Sequence, residues 1–201
     1  MFRLLLPMVL LLAACVSGPP AEVTRAESAS VQLYPNETPA LRSLVNKWAD
    51  FYDVPRSLVH RVIQRESDYR PGARNGPYWG MMQILPATAR GVNFRGSNSD
   101  LLDADTHLKY ATRYLRGAWM LSGGDEATAV GWYARGYYYE AKRQGLLYET
   151  GLRGGMWSKF DAGAAPMVAI DATGRVMPQV AVAECTRATG FAGLLGAETC
   201  S

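Results

Sequence analysis

Residues 62–89 read VIQRESDYRPGARNGPYWGMMQILPATA, and the reading of this stretch decides the fold. The run Arg56–Ser67 predicts a helix, because Val59, Val62 and Ile63 fall at i, i+3 and i+4. The next place on that stripe, i+7, holds Glu66 instead of an apolar residue. A carboxyl group on a core-facing stripe loses hydration, which disfavours its charged form and suits it to donate a proton near neutral pH. The competing reading is a structural glutamate paired with Arg65 or Arg70. Pro71-Gly72 ends the region. A loop follows, then Gly80–Leu85, then Pro86 opening a short helix through Ala89 or Arg90.

Outward from this stretch the pattern stays helical. Thr38-Pro39 gives an N-cap and a first-turn proline for a helix whose apolar face is Leu41, Leu44, Val45, Trp48, Ala49 and Tyr52. The polar, glycine-bearing segment Gly91–Leu102 reads as a loop. Asp103 or Asp105 then caps a long helix to about Leu121, with Leu108, Ala111, Leu115 and Ala118 inward. Another helix is expected from Asp125 to about Gln144, with Ala127, Val130, Ala134, Tyr137 and Ala141 at helical intervals. Tyr137, Tyr138 and Tyr139 cannot all face inward, so at least one meets solvent or substrate. Beyond Gly145 the signal weakens; Met167–Ile170 and Arg175–Met177 would form a small hairpin.

The N-terminus has its own logic. Met1-Phe2-Arg3, the apolar run Leu4–Leu12 and Ala13-Ala14 make a secretory signal over residues 1–14, too short to span a bilayer. Leu12-Ala13-Ala14-Cys15 resembles a bacterial lipobox, so Cys15 is expected to carry lipid and hold the protein to a membrane. Residues 15–37 read as a tether. Export places Cys185 and Cys200 in an oxidising compartment, where they are expected to bridge. Closing a loop of roughly 15 residues contributes on the order of 3 kcal/mol in the chain-entropy view. No metal site is expected, since neither His60 nor His107 has ligand spacing to a cysteine. A net charge of +3 without a lysine/arginine run gives no pointer to nucleic acid, so none is expected as a partner, while a mildly basic surface suits an anionic polymer.

Four blocks together resemble the ordered motifs of SLT-type lytic transglycosylases. They are Glu66-Ser67, Gly80–Ala89 (GMMQILPATA), the helix carrying Tyr114-Leu115, and Trp132–Gly136 (WYARG). The family reads E-S, G-L-M-Q-I-M-P-x-T-A, a helix ending in Tyr-Leu, and A-Y-N-A-G. The resemblance implies a mainly α, lysozyme-like helical domain over residues 38–146, with a small irregular C-terminal appendage over 147–201. It implies cleavage of the MurNAc-β-1,4-GlcNAc bond of peptidoglycan without a cofactor. Glu66 would be the acid/base, with substrate held by Ser67, Asn75, Tyr78, Trp79, Gly80, Met82, Gln83, Ile84, Leu85, Tyr133 and Tyr137. Ala134 departs from the family asparagine, and Asn75 stands where many members have serine.

Most glycosidases set two carboxylates across the bond. Asp68 lies at i+2 from Glu66, nearly opposite on a helix, so it is a poor partner, while Asp103 and Glu140 stay open as partners from elsewhere. With one carboxylate, the muramic sugar would supply its own N-acetyl oxygen and 6-hydroxyl, giving a 1,6-anhydro product. A hydrolytic muramidase and a non-catalytic wall-binding lipoprotein are the alternatives. The expected location is the periplasm, at the inner leaflet of the outer membrane, because Val16 follows Cys15 where inner-membrane retention takes aspartate. The sequence names no partner among cell-envelope machines.

Overall fold

Thr38 starts the first helix with its side chain. In the computed structural model, which describes residues 32–178, the Thr38 hydroxyl accepts from the Leu41 N–H at 3.2 Å and caps α1 (Pro39–Phe51). All the elements below belong to the unit Leu33–Ser201. α1 buries Leu41, Val45, Trp48 and Ala49, one helical stripe. α2 (Arg56–Glu66) buries Val59, Val62 and Ile63 completely. It stops at Glu66 because Ser67 leaves helical geometry and Asp68 and Tyr69 take positive φ, 53° and 62°.

α4 (Ala104–Met120) is the hub, touching α1, the short helix α3 (Pro86–Gly91), a 3-10 turn at Asn98–Leu102, and α5 (Glu126–Arg135). The Asp103 carboxylate caps it, accepting from the Thr106 N–H at 2.8 Å. Leu108, Ala111, Leu115 and Ala118 are fully buried on it. The 3-10 turn lies inside the segment read as loop. There the Ser97 side chain takes the Asp100 N–H while the Asp100 carboxylate accepts the Ser97 N–H at 2.9 Å, and Phe94 and Leu101 are pulled inward.

The single helix expected from Asp125 to about Gln144 is two. α5 ends at Arg135, Gly136 takes φ 83° and ψ 151°, and α6 (Tyr138–Gln144) restarts the chain. That backbone conformation is open to glycine and closed to other residues, which sets the break at this point. The break turns Tyr137 back onto α4, where its hydroxyl donates to the Tyr114 carbonyl at 2.7 Å. Gly117 makes room for it; a Cβ there would lie 2.3 Å from the Tyr137 oxygen. Ala127 and Ala134 consequently face solvent, and Ala129, Val130 and Tyr133 take the inner face. Of the three consecutive tyrosines, Tyr137 is buried and Tyr139 is 83% exposed.

The folded part reaches past both ends of the 38–146 span. Upstream, the buried Glu37 carboxylate accepts from Arg42 at 2.6 and 2.5 Å and from the Tyr34 N–H at 2.9 Å. The Tyr34 ring stacks on Tyr69, so packing begins four residues before Thr38. Downstream, α7 (Met156–Asp161) sinks Trp157 edge-on against Tyr52, and Ile170 and Val176 form an antiparallel bridge. Two buried arginines of α4 fasten this segment. Arg113 donates to the Tyr52 hydroxyl at 2.7 Å and pairs through both terminal nitrogens with Asp161. Arg116 donates to the backbone carbonyls of Tyr52, at 2.9 Å, and Val168. The signal segment, Cys15, the tether up to residue 31, Cys185 and Cys200 lie outside the described residues.

Removing one partner of a buried ion pair strands the other, at a cost of roughly 3–5 kcal/mol. Asp161 is partly exposed, so Asp161→Ala is expected to destabilise by about 3 kcal/mol, the low end of that range. Urea unfolding would show this as a lower midpoint at an unchanged m value. An unchanged midpoint would mean that Arg113 is satisfied by Tyr52 and Val92 alone.

Candidate active site

Glu66 sits where the buried stripe of α2 runs out into a cleft of about 490 Å³. The cleft lies between the end of α2, the hairpin of β1 (Arg74–Asn75) and β2 (Tyr78–Trp79), the start of α3, Tyr114 of α4 and the end of α5. The Glu66 side chain is 23% exposed and receives no hydrogen bond among the described residues. Burial raises its carboxyl above the ordinary value, while Arg65, with Nε at 3.6 Å, opposes the rise. The group is half-buried beside a cleft, and it has an arginine neighbour that is itself exposed.

The wall opposite is a tight turn held by backbone and by one histidine. Trp79 and Ile84 exchange backbone hydrogen bonds at 3.1 and 3.0 Å, closing Gly80–Gln83 into a loop with positive φ at Gly80 and Gln83. The Gln83 amide donates back to the Gly80 carbonyl at 2.7 Å, which leaves its amide oxygen for the cleft. Behind the turn, the His107 Nε2 accepts from the Met82 N–H at 2.9 Å and its Nδ1–H donates to the Leu101 carbonyl at 3.1 Å. These partners require the neutral ring with its proton on Nδ1, and burial pushes its pKa down to about 4. Gly80 is obligatory because a Cβ there would lie 2.1 Å from His107 Nδ1. Tyr133 reaches across from α5 and donates to the Met82 carbonyl at 2.9 Å. Burial first, and then the Glu66 charge, hold that phenol well above its usual value, so it stays protonated.

Of the expected site residues, Glu66, Asn75, Tyr78, Gln83, Ile84, Leu85 and Tyr133 line the cleft. Five others do not reach it. Ser67 is buried, its hydroxyl accepting from the Arg70 N–H at 3.2 Å, because the chain turns sharply there. Trp79 is covered by the Arg74 guanidinium at 3.8 Å. Gly80 and Met82 face His107, and Tyr137 is sealed behind Tyr114. The cleft is also lined by Arg65, Thr88, Tyr114, Ala134, Arg135 and Gly136, which sequence reasoning did not assign to the site. Tyr114 had a signal, since it stands in one of the four motif blocks and meets Tyr133 edge-on at 5.4 Å.

Among the described residues no second carboxylate lines the cleft with Glu66. Asp103 caps α4, Glu140 is tied to Arg143 and Gln144, and Asp68 accepts from Asn36 at 2.6 Å. Among the described residues no group of three or more His, Cys, Asp or Glu side chains is placed to hold a metal ion.

The transglycosylase SLT domain family matches residues 43–149, more than half of the chain. The chain belongs to this family. No solved structure matches it. The SLT match contains the whole cleft and ends before α7, so the segment that Arg113 and Arg116 fasten lies outside it.

His107 protonates below about 6.5 in the unfolded chain but only near 4 in the fold, so stability is complete above 6.5 and is lost as pH falls through that window. The full shift is worth roughly 3 kcal/mol. His60 is also held down by burial and adds loss in the same direction, so the contrast with His107→Gln is the measure. Urea midpoints at pH 7 and pH 4 are expected to separate by less in the variant than in the wild type. Equal separation would show that His107 does not stay neutral.

Proposed function

We propose that this protein is a peptidoglycan lytic transglycosylase that cleaves the MurNAc-β-1,4-GlcNAc bond with Glu66 as its one acid/base. The observation that carries the reading is a half-buried carboxyl with a raised pKa in an SLT-family cleft, the only acid lining that cleft among the described residues. An inverting hydrolase needs a second carboxylate on the far face of the sugar to activate water. A retaining one needs a second carboxylate as nucleophile. Among the described residues the cleft offers neither, which favours chemistry in which the substrate supplies the second group.

Protonated Glu66 donates to the departing GlcNAc O4 as the C1–O4 bond breaks. The MurNAc N-acetyl oxygen stabilises the positive charge at C1. The Glu66 carboxylate then takes the proton from the MurNAc 6-hydroxyl as that oxygen bonds to C1. The product is a 1,6-anhydro sugar, the acid is regenerated, and no water is consumed. Tyr133 and His107 hold the turn opposite at a fixed distance, so the acid and the strand meet without rearrangement. The lipobox at Cys15 and the signal before it support a periplasmic, membrane-anchored location at the outer membrane's inner leaflet.

Dye release from purified sacculi is expected to fall at least about a hundredfold in Glu66→Gln, with folding intact. Activity retained in that variant would remove Glu66 from the mechanism. Mass spectrometry of the digest separates the anhydro product from a muramidase product, which is heavier by one water. The acid form of Glu66 is needed, so activity falls as pH rises through its raised pKa. Arg65→Gln removes the cation that opposes the rise and is expected to move that limb to higher pH. A shift to lower pH would contradict the electrostatic assignment.

A further inference from the structure

Arg135 is the last residue of α5 and lines the Glu66 cleft, at a place where the A-Y-N-A-G pattern has a small alanine. Its guanidinium carbon stands over the Trp132 ring, 3.9 Å from the centroid, and the group passes close to Gly131. A Cβ on residue 131 would stand 2.9 Å from Arg135 Nη1, so Gly131 and Trp132 together form a seat for this cation. Seated this way, the guanidinium makes no ion pair among the described residues and is exposed. The cleft acid sits instead beside Arg65. Arg65 and Arg135 are the two cations lining the cleft, and with Glu66 protonated as the acid the cleft carries their positive charge unneutralised. A planar guanidinium held by stacking keeps its donor edge ordered, which is the arrangement that binds carboxylates two-pronged.

We propose that Arg135 is a specificity residue that binds a carboxylate on the muramic-acid side arm of the glycan strand. This rests on the peptidoglycan reading above and names which strands the site prefers. The sugar rings are neutral. Negative charge on the strand comes from the lactyl group where it is free, or from acidic residues of the attached peptide.

Binding is measured separately from cleavage, so that this inference and the catalytic reading fail independently. Full-length protein carrying Glu66→Gln, with and without Arg135→Gln or Arg135→Lys, is titrated with three soluble forms of the strand. These are peptide-bearing strands, amidase-stripped strands that keep only the lactyl carboxylate, and strands whose carboxyls have been converted to amides. With Arg135 present, the charged forms are expected to bind roughly tenfold more tightly than the amidated form. Arg135→Gln should cut that ratio severalfold, to what Arg65 alone sustains, Arg135→Lys should keep more of it, and added salt should shrink it. A preference for peptide-bearing over stripped strands assigns the carboxylate to the peptide; a preference for stripped strands assigns it to the free lactyl group, and equal binding shows that either carboxylate serves. An unchanged ratio in Arg135→Gln overturns the proposal, as does a wild-type ratio near one. Inactivity of protein with Glu66 intact on sacculi, alongside a ratio that depends on Arg135, would instead overturn the catalytic reading and leave this one standing.

Discussion

A single neutral imidazole holds the two halves of the cleft in register. His107 accepts the Met82 N–H with one nitrogen and gives its proton to the Leu101 carbonyl with the other. It joins the turn opposite Glu66 to the central helix and to the 3-10 turn that precedes it. Removing the ring leaves a buried amide and a buried carbonyl without partners, and charging it places two donors where one acceptor is needed. The absence of a side chain at Gly80 is the other half of the same contact, because the ring occupies that space. Tyr133 completes the arrangement by donating to the Met82 carbonyl, so both polar backbone groups of Met82 are satisfied by side chains from different helices.

Much of this was legible in the sequence where one local rule decided the outcome. Thr38 and Asp103 cap the helices they precede, and the stripe Val59, Val62, Ile63 aims Glu66 at the edge of the core. The break at Gly136 was not legible from periodicity, because Tyr133, Tyr137 and Ala141 stay at helical intervals across it and are all buried. What separates the two helices is one backbone conformation and the space left by Gly117, which lies on a different helix. The inward turn of Met82 and Tyr137 has the same origin. Both stand in or beside motif blocks, and both are used for holding the cleft's walls, through partners that sequence spacing does not reveal. His107 had no signal as a structural residue, since its two partners are backbone groups 25 and 6 residues away.

The chemistry assigned to the cleft follows from what surrounds one side chain. Half-burial alone raises the Glu66 carboxyl, and the exposed Arg65 moderates the rise without quenching it. Every other acid considered as its partner is committed elsewhere, to a helix cap, to an arginine or to an asparagine. The lone acid is therefore a consequence of where the neighbouring carboxylates are bound, and not of a shortage of them.

Arg113 and Arg116 bear on where this protein can be cut. Both are nearly inaccessible to solvent, and both spend donors on residues beyond position 150, Asp161 and Val168. A piece trimmed to the family-matched span 43–149 would expose two guanidinium groups lodged in an apolar interior, along with the floor left by Trp157. The minimal autonomous body of this enzyme is thus longer than its recognisable homology, and its last stretch behaves as a plug whose loss would be felt in the helix that carries the imidazole.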